Sequence, residues 1–169
     1  MAGQKLISNF ILHYIKNLQL MEEEFIQTNL EKPIYRKIHL QLAAFFGGPL
    51  AIVYVLAENF KQFGDDGRVK KTWIFGIGLC LLFFIGVAYL ASSKKIPNLI
   101  IPLISILTGT AIMQSWQGSD IQLHSDAGGR IHPLTRALLV GVVSLAATIL
   151  FFVIIAFFYA IIFGVPTKQ

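Results

Sequence analysis

Apolar residues in the first 20 positions recur at helical spacing, with Leu6, Ile7, Phe10, Ile11, Tyr14, Ile15 and Leu18 on one side and Ser8, Asn9, His13, Lys16 and Asn17 largely on the other. This predicts an amphipathic helix suited to a membrane interface. Met21 follows, and the polar stretch "MEEEFIQTNLEKPIYRK" offers a second candidate start for the chain. Beyond residue 36 the pattern changes to continuous apolar runs at about 38–56, 72–91, 97–116 and 134–163. Each is long enough to provide the roughly 20 residues that cross a bilayer. They predict an all-α polytopic membrane protein, a four-transmembrane-helix bundle over residues 37–165, preceded by an N-terminal amphipathic and juxtamembrane segment over 1–36.

The connections fit this reading. "SSKKIPN" is short enough to join antiparallel helices, and Pro97 suits the first turn of the third run, where its missing N–H costs nothing. Four alternating spans place both termini on one side, and Trp73 and Trp116 at one interface. The last run, about 45 Å of helix, must tilt, kink or protrude. Basic residues near the span ends balance: Lys32, Arg36, Lys37, Lys94, Lys95 and Lys168 against Lys61, Arg68, Lys70, Lys71, Arg130 and Arg136, so the positive-inside rule gives no orientation.

Composition strengthens the membrane assignment, with 55% hydrophobic and 14% charged residues against roughly 25% charged in a soluble domain. The formal charge of +5 is scattered through loops and termini rather than gathered on a helix face, which argues against nucleic acid as a partner. The partner implied by composition is the lipid bilayer. Cys80 lies inside an apolar run, with no CxxC or Cys/His spacing around it. No GxSxG occurs, and nothing calls for a cofactor.

One run is interrupted. "AFFGGPLAIVYVLAENF" places Gly47, Gly48 and Pro49 in its middle, where a proline should kink the helix and two glycines ease the bend. Ala43, Gly47 and Ala51 recur at four-residue intervals and form a packing seam that lets another backbone approach. Tyr54, Glu58 and Asn59 follow, giving two readings: a close-packed helix with an interfacial acid, or a bent helix lining an ion or proton path. Packing is the stronger expectation, because an acid at the end of a span is far less costly than one at its centre. His124, Asp126 and His132, with Asp120, are candidate zinc ligands in the loop before the last run. Their spacing lacks the paired ligands one turn apart that mark zinc helices.

Through "AFFGGPLAIVYVLAENFKQFG", "IPNLIIPL" and the "AGG" loop, the chain from about Ile34 onward resembles small multi-pass bacterial membrane proteins that are uncharacterised. The resemblance implies a bacterial inner membrane and carries over no functional residue. The functional expectation is a non-enzymatic accessory or self-associating membrane component, as a homo-oligomer or with a membrane-complex partner. The alternative is a small oligomeric channel or transporter using the kinked first span and Glu58.

Overall fold

Gly48 adopts φ 59° and ψ −147° in the middle of the first apolar run. This is a region that side-chain-bearing residues avoid. The computed structural model describes residues 13, 15–21, 30–91 and 100–163. Four long helices dominate it: α1 (Lys37–Gln62), α2 (Asp66–Ala91), α3 (Ile100–Asp126) and α4 (Leu134–Phe163). No strand occurs among the described residues, only an isolated bridge between Ile34 and Ile131.

A straight α1 of 26 residues would be about 39 Å long. Yet the Tyr35 amide, just before it, donates to Asn59 Oδ1 near its far end at 2.8 Å. α1 is therefore a hairpin of two arms, residues 37–47 and 49–62, that fold back on each other at Gly48. This corrects the expectation of a kinked span. Gly-Gly-Pro acts as a helix stop followed by a helix start: Gly48 supplies the positive φ that terminates the first arm, and Pro49 opens the second, where no N–H is needed. Because the chain reverses, Pro49 never meets the Phe45 carbonyl that a continuous helix would have pressed against it.

Among the described residues three helices are long and apolar enough to cross a membrane, Lys37–Gln62, Asp66–Gly86 and Leu134–Ile154, and α3 is not one of them. α1 qualifies by length and composition, but its fold-back denies it the reach. The longer arm measures about 21 Å against a hydrocarbon core of ~30 Å.

The hairpin is also the hub. More than half of its apolar window is buried (56%), against 17% for those of α2 and α4. α2, α3 and α4 each pack on α1, and touch one another only marginally. Small residues allow these approaches. A Cβ added at Gly47 would lie 2.6 Å from Ser144 Cβ and 2.7 Å from the Gly141 carbonyl of α4. One at Gly76 of α2 would meet Val53, and one at Gly109 of α3 would meet Ile52. The core is Leu40, Ala43 and Ala44 of the first arm against Ala51, Ile52, Val55 and Leu56 of the second, with Tyr35, Met113 and Val140. The tip meets α4 near Gly141 and Ser144, between about a quarter and a third of the way along that 30-residue helix.

Of the predicted N-terminal helix, residues 13 and 15–21 are helical, with Ile15 and Leu18 exposed. Its earlier positions, the 92–99 turn with Pro97, and residues 164–165 lie outside the described residues.

Two neighbouring glycines should fail for different reasons. Gly47→Leu meets backbone and side chains of α4, and should destabilise by roughly 1–3 kcal/mol or more through overpacking. Gly48→Ala has open space around its Cβ, so its cost, on the order of 1–3 kcal/mol, is purely conformational. Thermal midpoints in detergent, with Phe45→Leu as an exposed control, would check both, and an unchanged Gly48→Ala would contradict the hairpin turn.

Candidate functional site

The two ends of the hairpin are tied at its mouth by side chains that the fold leaves almost no water. Asn59 is fully buried. Its oxygen accepts the Tyr35 amide at 2.8 Å, and its nitrogen donates to the Tyr35 carbonyl at 2.9 Å and to Gln117 Oε1 at 3.1 Å. Gln117, equally buried on α3, donates to the Leu56 carbonyl at 2.8 Å. One carboxamide thus closes the hairpin, and a second fastens it to α3.

A second layer adds the loop between α3 and α4. The Ile34 amide donates to the Arg130 carbonyl at 3.1 Å, and the His132 amide donates to the Ile34 carbonyl at 3.0 Å. The chain entering the hairpin therefore runs beside the loop that leads into α4. His39, third residue of the first arm, accepts the Arg36 amide at its Nδ1 at 3.1 Å and so caps the arm's start.

Ionisable side chains converge on this mouth. The His132 ring stacks at a tilt on Tyr35, centroids 4.3 Å apart, and His39 meets Tyr35 edge-on at 6.2 Å. The Arg136 guanidinium of α4 faces the Tyr35 and Tyr54 hydroxyls, and Glu58 is near enough to act on Tyr35 and His132 electrostatically. At Tyr35 the approach of Arg136 falls short of hydrogen-bond geometry. Its buried hydroxyl and His132 Nε2 are left without hydrogen-bond partners within the protein. Burial raises the Tyr35 hydroxyl above its ordinary 10.0, with Arg136 opposing the rise. Burial, then Arg136, pushes the His132 imidazole from 6.5 down to about 4, so it is neutral at physiological pH.

The residues singled out in the sequence separate into different places. Ala43, Gly47 and Ala51 are buried at the close approach of the arms and α4, Gly48 forms the turn, and Pro49 lines a neighbouring cleft. Asn59 is the clamp. Tyr54 and Glu58 border a small pocket with Lys61, Asp66 and Trp73, and Glu58 accepts a hydrogen bond from Gln62 at 2.9 Å. His124, Asp126 and His132 do not come together. His124 packs on Gly129 and Phe63 with its Nε2 3.1 Å from the Arg130 carbonyl, Asp126 is exposed, and His132 faces Tyr35. Among the described residues no three His, Cys, Asp or Glu side chains could share a metal ion.

Beside the mouth lies a feature that periodicity did not foretell. α2 and α3 both pack on the hairpin's second arm but hardly on each other, leaving a cleft of about 1170 Å³ between them. Arg68, Lys71 and Asp120 lie at the end nearest the mouth, and Pro49, Leu82 and Ile104 at the other. No family model matches this chain, and no curated protein or solved structure proved similar to it.

Asn59→Leu should cost on the order of 3 kcal/mol, since it leaves the buried Tyr35 amide and carbonyl and Gln117 unsatisfied. Chemical denaturation in detergent would measure it. The depressed His132 pKa also fixes a sign. Above pH 6.5 the ring is neutral folded and unfolded, whereas between 6.5 and about 4 only the unfolded chain takes the proton, so stability falls with falling pH. His132→Phe should lose part of the drop in thermal midpoint between pH 7.5 and 4.5, and an unaltered drop would exclude His132 as its source.

Proposed function

We propose that the chain is a non-enzymatic integral membrane component in which α2, α3 and α4 cross the bilayer, while the α1 hairpin enters and leaves a single leaflet. Its working surface is the cleft beside the hairpin, open to lipid. The observation that carries the reading is the fold-back at Gly48. Backbone that breaks from helical geometry within a bilayer survives only when protein or water covers it. Here Gly47 is buried against α4, in keeping with that requirement.

The hairpin also breaks the tie in charge. Lys32, Arg36 and Lys37 now share a side with Lys61, Arg68, Lys70, Lys71, Arg130 and Arg136, which gathers the basic residues near the described helix ends at the hairpin's mouth. The positive-inside rule then puts the hairpin's mouth in the cytoplasm. The end of α4 at Phe163 falls opposite the mouth, where four full spans would have returned the chain to the side on which it entered. A bacterial inner membrane is part of the same proposal, resting on the sequence resemblance.

An accessory role is preferred to a channel because the ionisable cluster of Tyr35, His39, Glu58, His132 and Arg136 gathers at the hairpin's mouth rather than along a line through the bundle. In proteoliposomes, an ion flux abolished by Glu58→Gln would reverse that preference.

Cysteine labelling tests the topology. With Cys80→Ser as background, Lys37→Cys and Lys61→Cys should both react with a membrane-impermeant maleimide from the same, cytoplasmic face. Labelling of the two from opposite faces would reject the hairpin and restore a span.

A further inference from the structure

We propose that the cleft between α2 and α3 binds one anionic phospholipid, with its phosphate at the Arg68–Lys71 mouth and one acyl chain lying along the second arm of the hairpin. This deepens the reading above by naming what the cleft holds.

The cleft is graded in polarity along its length. Its cytoplasmic end, in the proposed orientation, carries Arg68, Lys71 and Thr72 on α2 and Trp116, Ser119 and Asp120 on α3. Deeper, the α2 wall is Phe75, Gly76, Leu79 and Phe83, and the floor is Leu56, Val53, Ile52 and Pro49 of the hairpin. A ligand matching it has one charged or hydroxylated end and one long apolar end. From Lys71 to Phe83 the wall runs for about 18 Å, close to half of a ~30 Å hydrocarbon core. Because the floor is a hairpin arm that stops at Pro49, the groove is about one leaflet deep. That is the reach of a single lipid, and a partner's spanning helix would extend past its floor.

Charge selects the headgroup. Arg68 lies over the Phe60 ring at 5.5 Å and meets Asp65 through Nε at 2.9 Å, a contact that does not use its terminal amino groups. Lys71 is exposed and has no carboxylate within ion-pair distance among the described residues. Among the residues that line the cleft, two cations stand against one carboxylate, Asp120, while Asp65, the ion-pair partner of Arg68, lies outside the lining. Trp116, 54% exposed, sits where an indole meets the headgroup region. A positive mouth in the cytoplasmic leaflet faces the leaflet whose anionic lipids draw Lys and Arg.

The test uses the purified full chain in a non-ionic detergent, titrated with phosphatidylglycerol, phosphatidylcholine or inorganic phosphate, with binding read by native mass spectrometry and thermal shift. Phosphatidylglycerol should bind roughly tenfold more tightly than phosphatidylcholine, and phosphate alone should give no shift. Arg68→Gln with Lys71→Gln should abolish that preference while lowering the lipid-free thermal midpoint only slightly, because an exposed ion pair and the contact of an exposed guanidinium with the Phe60 ring contribute little. Lys70→Gln, a neighbouring charge outside the cleft, should leave the preference intact. Thr108→Trp, which fills the cleft from the α3 wall, should weaken both lipids. Equal binding of the two lipids, a shift from phosphate alone, or a Lys70→Gln effect matching the double variant would overturn the proposal. So would disulfide-linked dimers of Thr108→Cys in a Cys80→Ser background, which would make the occupant a second copy. The lipid titration addresses the cleft and the maleimide labelling addresses the hairpin, so either can fail without the other.

Discussion

The Asn59 carboxamide engages the Tyr35 main chain through both its oxygen and its nitrogen, and the course of every later helix follows from that contact. In water such a pair would be a modest addition to hydrophobic collapse. Where little water reaches, the alternative is unpaired amide and carbonyl groups, whose cost exceeds the net gain of the bonds themselves. The clamp holds residues 37 and 62 at the same end, so α2 starts from where α1 began. α3 then returns to that end, where Gln117 locks onto Leu56, and α4 departs from it beside Tyr35 and Arg136. Helices that scarcely touch one another are fixed because each is fixed to the hairpin.

The helices themselves were legible in the sequence, since long apolar runs of the observed extent leave few alternatives. Runs two and four correspond closely to the cores of α2 and α4. The reversal inside α1 was not legible from hydropathy, which sums residue character and is blind to direction. Its signals were of another kind. Gly-Gly-Pro joins a glycine terminator to a proline starter, and Tyr35 and Asn59 stand equidistant from Gly47 with basic residues beside each. Read as a kink, the motif keeps a span; read as stop and start, it turns the chain back. Local propensity permits both, and the Asn59–Tyr35 contact, between distant residues, decides.

The site was legible only in fragments. The small-residue positions at 43, 47 and 51 were visible because four-residue spacing is local. Gln117, His39, Tyr35 and Arg136 carry no motif, and they matter because the hairpin collects them from four segments. Asn59 read as an appendage of Glu58, and it is instead a fully buried clamp. The cleft is a gap between α2 and α3, and a gap has no residue pattern of its own.

In the proposed topology, the hairpin gives the described residues an uneven profile through the membrane. Among the four long helices described, five rods lie abreast on the mouth side of Gly48: two arms and three helices. Beyond the tip only three continue, and α4 alone runs on for about 28 Å past Ser144. With each rod ~10 Å across, the two extra arms widen one leaflet's share of the protein and leave the other narrow. The chain is thus a wedge, and a wedge embedded in a bilayer trades energy with its bending. In the proposed topology, such a molecule would rest most comfortably where the membrane curves to accommodate the broad end.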